Sequence, residues 1–315
     1  MLLQTGSTSH LSHRAWAFQE RLLAPRTVHF GDHGALWECR TETLSSHLPD
    51  GFDNYLEPNS LIRPDDVLWD WKEIVDSYTH AQLTVSSDCL PALAGVARRH
   101  YELTKHQYLA GMWREGLIGH LVWAVNSNEL EYLGNHKRPD WRAPTWSWAS
   151  VGGAVDANVF ELNEEHESDI FISVLDAWTK APGPDIFGAV SGGELTLACS
   201  ALVPCSIVVP DDVRLPHCRS LHGRVEVSLD GSQQGFTILL DCEHHLRSEN
   251  DASVYLLPVA FGCTLRLTRQ DDGNMGLFPL VAGLVLQRIE GSPRGAVCPD
   301  GILFLLRECP RARAV

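Results

Sequence analysis

The chain has 315 residues, 44% of them hydrophobic and 21% charged, and a formal net charge of -15. That composition belongs to a folded chain with a core to bury, not to a disordered one. The acidity argues against nucleic-acid or anionic-membrane partners, which are drawn to basic patches.

The opening MLLQTGSTSHLSHR lacks a basic segment followed by a long apolar one, so no signal peptide is read and a cytoplasmic location is expected. The longest apolar stretch, GLFPLVAGLVL from Gly276, falls well short of the ~20 residues of a membrane-spanning helix and contains a proline. Nine cysteines without a C-x-x-C pair predict reduced, buried thiols.

In chain order, Ser12 is placed to cap a helix with Ala15, Trp16, Leu22 and Leu23 near one face, and Pro25 stops it. Thr27 to Phe30 and Ala35 to Cys39 flank Gly31-Asp32-His33-Gly34 and predict a hairpin. Residues 41–66 are polar and proline-rich and read as an irregular connection. Helical spacing then places Trp71, Ile74, Val75 and Tyr78 on one helix. It places Leu90, Leu93, Ala94, Ala97 and Tyr101 on a second that starts near Ser87-Asp88. Leu109, Met112, Trp113, Leu117, Leu121 and Val125 fall on a third, from Tyr108 to Val125.

Beyond Arg142 the texture turns strand-like. Trp146 and Trp148 alternate with small polar residues as in a half-buried strand. Further runs begin at Ile170, Glu194, Ser206, Arg224, Phe236, Val254, Leu280 and Ile302, separated mostly by turn-forming residues. The expected fold is α+β, its carboxy-terminal part an antiparallel sandwich or barrel. The regions are 1–65, a helical stretch 66–140 and a β-rich stretch 141–315, with a continuous interface expected between them.

Phosphate-binding loops, nucleophile elbows and H-E-x-x-H are absent from the sequence. Cys242, His244 and His245 form the best metal-like group, but adjacent histidines of a strand point to opposite faces, so no metal is expected. Glu20 lies four residues after Trp16 and shares its helix face. A carboxylate beside an indole wall suits sugar chemistry, accepting a ribose diol and steadying an oxocarbenium-like transition state. Its structural alternative is an ion pair with Arg14, Arg21 or Arg26.

RAWAFQERLLAPRTVHFGDHGALWEC resembles the closing segment of the fungal heterokaryon-incompatibility (HET) domain. LTVSSDCLPALAGVAR, YLAGMWREGLIGHLVWAV, RAPTWSWASVGG and GLVLQR resemble, in the same order, the region that follows it, and the matches run from about Arg14 to Arg288. The resemblance implies a role in fungal self/non-self recognition and cell-death signalling through protein partners. It also implies a distant similarity to TIR domains, some of which cleave NAD with the glutamate of a Trp-x-x-x-Glu helix. Trp16 and Glu20 match that pattern and RTVHF resembles the strand after it, so residues 1–65 would be a partial α/β, TIR-like remnant with Glu20 as the catalytic-type carboxylate. The tyrosine/serine/tryptophan segment and the Asp-x-x-Cys-Ile-x-Gln-like strand that open complete HET domains do not occur here. The expected function is therefore protein contact without catalysis and without a cofactor, and the alternative is a TIR-like NAD glycohydrolase using Glu20.

Overall fold

In the computed structural model, residues 11, 13–31, 34–39, 42–47, 70–126, 139–158, 161–162, 170–208, 222–229, 232–240, 254–266, 276–288 and 297–305 are described. Helix α1, Ala15–Leu23, buries Ala15 and Leu22. Arg14 occupies its N-cap without a side-chain cap bond, and Ser12 lies outside the described residues. Ala24 turns extended ahead of Pro25, as a residue before proline must.

The expected hairpin is formed by β1, Arg26–Gly31, and β2, Gly34–Cys39, with Gly31 opposite Gly34. Strand β3, Thr43–Ser45, extends it to an antiparallel sheet of order β1-β2-β3, so the connection read as irregular from residue 41 begins with a strand. Among the described residues every pairing between strands is antiparallel, and the one parallel pairing is the isolated bridge Arg14–Gln82. Among the described residues of 1–65 a helix is backed by an antiparallel meander, and nothing in it supports the expected TIR-like α/β remnant.

Helix α2, Trp71–Thr79, is capped by the Asp70 carboxylate, which accepts from Lys72 N at 2.9 Å, and it buries Trp71, Ile74, Val75 and Tyr78 as the periodicity predicts. Two 3-10 turns, Ser86–Asp88 and Pro91–Leu93, precede α3, Ala94–Thr104. Pro91 delays the helix expected from Ser87-Asp88, and Tyr101, expected on the buried face, is exposed.

The helix expected over Tyr108 to Val125 is not formed. The segment folds as β4, Tyr108–Leu109, β5, Met112–Trp113, α4, Leu117–His120, and β6, Ala124–Val125. Ala110 (φ 47°), Gly111 (φ 93°) and Gly116 (φ 80°) adopt left-handed conformations that no right-handed helix contains. The apolar spacing reflects burial of Leu109, Met112, Trp113, Leu117 and Leu121 from short strands and turns, not one helical face. TWSW is likewise a turn and not a strand: Trp146 and Trp148 are both buried, and Ser147 caps the 3-10 turn Trp148–Ser150 by accepting from Ala149 N at 3.1 Å.

Strand β7, Val155–Asp156, pairs with β6; β8 is Glu161–Leu162. Strands β9, Ile172–Lys180, and β10, Gly192–Cys199, form a two-stranded sheet. Then follow β11, Val203–Val208, β12, His222–Leu229, β13, Ser232–Leu240, β14, Val254–Arg266, β15, Gly276–Arg288, and β16, Val297–Leu305. With β8 they make a seven-stranded sheet of order β11-β12-β13-β16-β15-β14-β8, and β11 also pairs with β14. Antiparallel strand content is what stands of the sandwich-or-barrel expectation.

One buried apolar cluster runs from Ala15 through Trp71, Trp113 and Trp148 to Val259 and Leu284, joining the amino-terminal helices to the carboxy-terminal strands. Of Cys39, Cys89 and Cys199 only Cys89 is buried and Cys199 is exposed, which narrows the expectation of buried thiols. Among the described residues, no helix is long and apolar enough to cross a membrane.

Candidate functional site

Trp16 and Glu20 share the outer face of α1, and both are exposed. The Trp16 indole donates from Nε1 to Asp88 Oδ2 at 3.3 Å, tying α1 to the 3-10 turn at Ser86–Asp88. Among the described residues no ion pair joins Glu20 to Arg14, Arg21 or Arg26.

The carboxylate that α1 engages is Glu38, on β2. Arg21 donates from Nε to Oε2 at 2.9 Å and from Nη2 to Oε1 at 2.5 Å, and His29 Nε2 lies 2.6 Å from Oε2. Burial by itself would raise the Glu38 pKa, but hydrogen bonds and charge from His29 and Arg21 outweigh it and bring it down to about 2. Glu38 is thus held ionised with both oxygens occupied, which suits anchoring α1 to the sheet and not proton transfer. The residue was legible only through the hairpin register. Thr27 faces Glu38 and His29 faces Leu36 across the pair, so His29 and Glu38 are diagonal neighbours on one face.

The opposite face of the same sheet carries Val28, Phe30, Ala35, Trp37 and Leu44, since Val28 pairs with Trp37, Phe30 with Ala35 and Trp37 with Leu44. This face is apolar and incompletely covered: Phe30 is 83% exposed and Val28 44%. The polar face meets the helix, and on the apolar one Phe30 and Val28 meet solvent while Ala35, Trp37 and Leu44 are half-buried.

A cavity of about 550 Å³ lies beside the start of α1, between the end of α2 and the loop after the tryptophan turn. Tyr78, Cys89 and Trp148 form its buried floor, and exposed His80, Gln82 and Gly153 its rim. Arg142, the first residue of RAPTWSWASVGG but not a candidate site residue in the sequence, lines it. Its Nε donates to Ala149 O at 2.6 Å, its Nη1 to Ser86 O at 2.6 Å and to Ser86 Oγ at 3.4 Å, and its Nη2 to Val151 O. Burial pushes the Cys89 thiol up to about 11 against the pull of Arg142, so the floor of the cavity is uncharged at neutral pH. Trp16 and Glu20 do not line this cavity.

A second group of titratable side chains is packed into the core. His100 stacks on Trp113 with ring centroids 4.5 Å apart, and burial drives its pKa down to about 4, so the imidazole stays neutral and packs as an aromatic ring. Cys242, His244 and His245 lie outside the described residues.

Comparison with protein-family models, with curated proteins and with solved structures finds no match to this chain.

Proposed function

We propose that the chain works by protein contact in the manner of the fungal heterokaryon-incompatibility group, in self/non-self recognition and cell-death signalling in the cytoplasm, and not by catalysis. The observation that carries this reading is the incompletely covered apolar face of the β1–β3 sheet, from which Phe30 and Val28 are exposed. Large aromatic and aliphatic side chains exposed together on a strand are costly to leave in water and favour burial against another protein surface. The partner this face fits is a polypeptide presenting a complementary apolar patch.

The carboxylates of the region support the same reading. Glu20 stands exposed outside the cavity, and Glu38 is committed to Arg21 and His29. NAD cleavage would need a carboxylate facing a walled, water-excluding cleft. Incubating the purified chain with NAD tests this: no nicotinamide release is expected, and release abolished by Glu20→Gln would overturn the proposal in favour of a TIR-like hydrolase.

A further inference from the structure

We propose that the cavity floored by Tyr78, Cys89 and Trp148 is a binding site for a small organic anion, a carboxylate or phosphate ester with an apolar body, whose charged head meets Arg142. The inference does not rest on the protein-contact function.

A guanidinium carries five N–H donors, and the acceptors of Arg142 number four: the carbonyls of Ala149, Ser86 and Val151 and the Ser86 hydroxyl. One Nη2 N–H is left over. All four acceptors are neutral, and among the described residues no carboxylate forms an ion pair with Arg142. The backbone carbonyls hold the guanidinium in place without cancelling its charge. Such a pre-positioned cation costs little reorganisation when an anion arrives.

The rest of the cavity suits the body of such a ligand. Its volume of about 550 Å³ lies within the usual range for small-molecule sites. Leu83, Trp148, Val151 and Ala154 supply apolar wall, and Gln82 adds a polar group at the rim. Gly152 also lines the cavity, and a Cβ built there meets nothing within 4 Å. A Cβ at this position therefore has open space around it, and a larger side chain there is a substitution at the cavity lining itself.

The test is calorimetric titration of the full chain with phenyl phosphate and with phenylacetate, using phenol as the uncharged counterpart, at low and at high salt. At least one of the two anions is expected to bind saturably, about tenfold or more tightly than phenol, and to weaken as salt rises. Arg142→Gln is expected to weaken anion binding by about tenfold. Because that substitution also releases three carbonyls, Gly152→Phe provides the second variant: it should fold as the parent does by circular dichroism and lose anion binding. No saturable binding of either anion, phenol binding as tightly as the anions, or unchanged anion binding in folded Gly152→Phe would each overturn the proposal.

Discussion

Arg21 grips Glu38 at two points, Nε to Oε2 at 2.9 Å and Nη2 to Oε1 at 2.5 Å, and so fastens helix α1 onto the polar face of the β1–β3 sheet. His29 completes the contact from β1 at 2.6 Å. Three elements close in sequence are locked together around one ionised carboxylate.

This contact gives the fold an acid-sensitive joint. The Glu38 pKa falls from 4.5 to about 2 on folding, so its contribution is complete above pH 4.5 and is lost as pH drops through about 2. Urea unfolding followed as a function of pH should show a loss on the order of 2–3 kcal/mol across that window. Glu38→Gln should be less stable at neutral pH and flatter below pH 4.5; a variant with the parent's acid dependence would contradict the assignment.

Gly111 is expected to be the least replaceable glycine of the helical region. Its φ is 93°, a Cβ there would lie 2.8 Å from the Trp148 ring, and its carbonyl accepts from Trp71 Nε1 at 2.7 Å and from Trp148 Nε1 at 2.8 Å. Gly111→Ala should lower stability by about 3 kcal/mol, combining backbone strain with displacement of a packed indole. Gly152→Ala, by contrast, should stay within about 0.5 kcal/mol of the parent. Thermal melting of the two variants checks the contrast, and equal melting temperatures would refute it.

On α1 the exposed face should tolerate change. Glu20→Gln should leave stability within about 0.5 kcal/mol, and Trp16→Phe, which removes the 3.3 Å bond to Asp88, should cost no more than about 1 kcal/mol. A Glu20→Gln loss well above this in denaturant titration would mean that the carboxylate holds a structural contact.

Local rules served where one physical signal dominated. Pro25 marks the end of α1, the apolar periodicity of Trp71, Ile74, Val75 and Tyr78 marks α2, and the recurrent β-rich runs beyond Ile170 became antiparallel strands. The rules failed between Tyr108 and Val125 because its apolar residues are buried within short strands and turns, so their spacing carried no helical information, while Gly111 and Gly116 held the contrary signal of left-handed turns. Trp146 and Trp148 misled for the same reason. Both are buried, and Ser147 between them donates to Ala110 O at 2.6 Å. The Glu38 contact needed the register of the hairpin, and the Arg142 site needed Ser86, Ala149 and Val151 brought together by the tertiary fold.

The reading of the chain as a contact protein turns on Phe30, and the most direct test is growth arrest in fungal hyphae expressing the parent, Phe30→Glu or Glu20→Gln. Phe30 is 83% exposed, so Phe30→Glu should fold with stability within about 0.5 kcal/mol of the parent. The account predicts arrest with the parent and with Glu20→Gln, and its loss with Phe30→Glu. Arrest that survives Phe30→Glu but disappears with Glu20→Gln would contradict it.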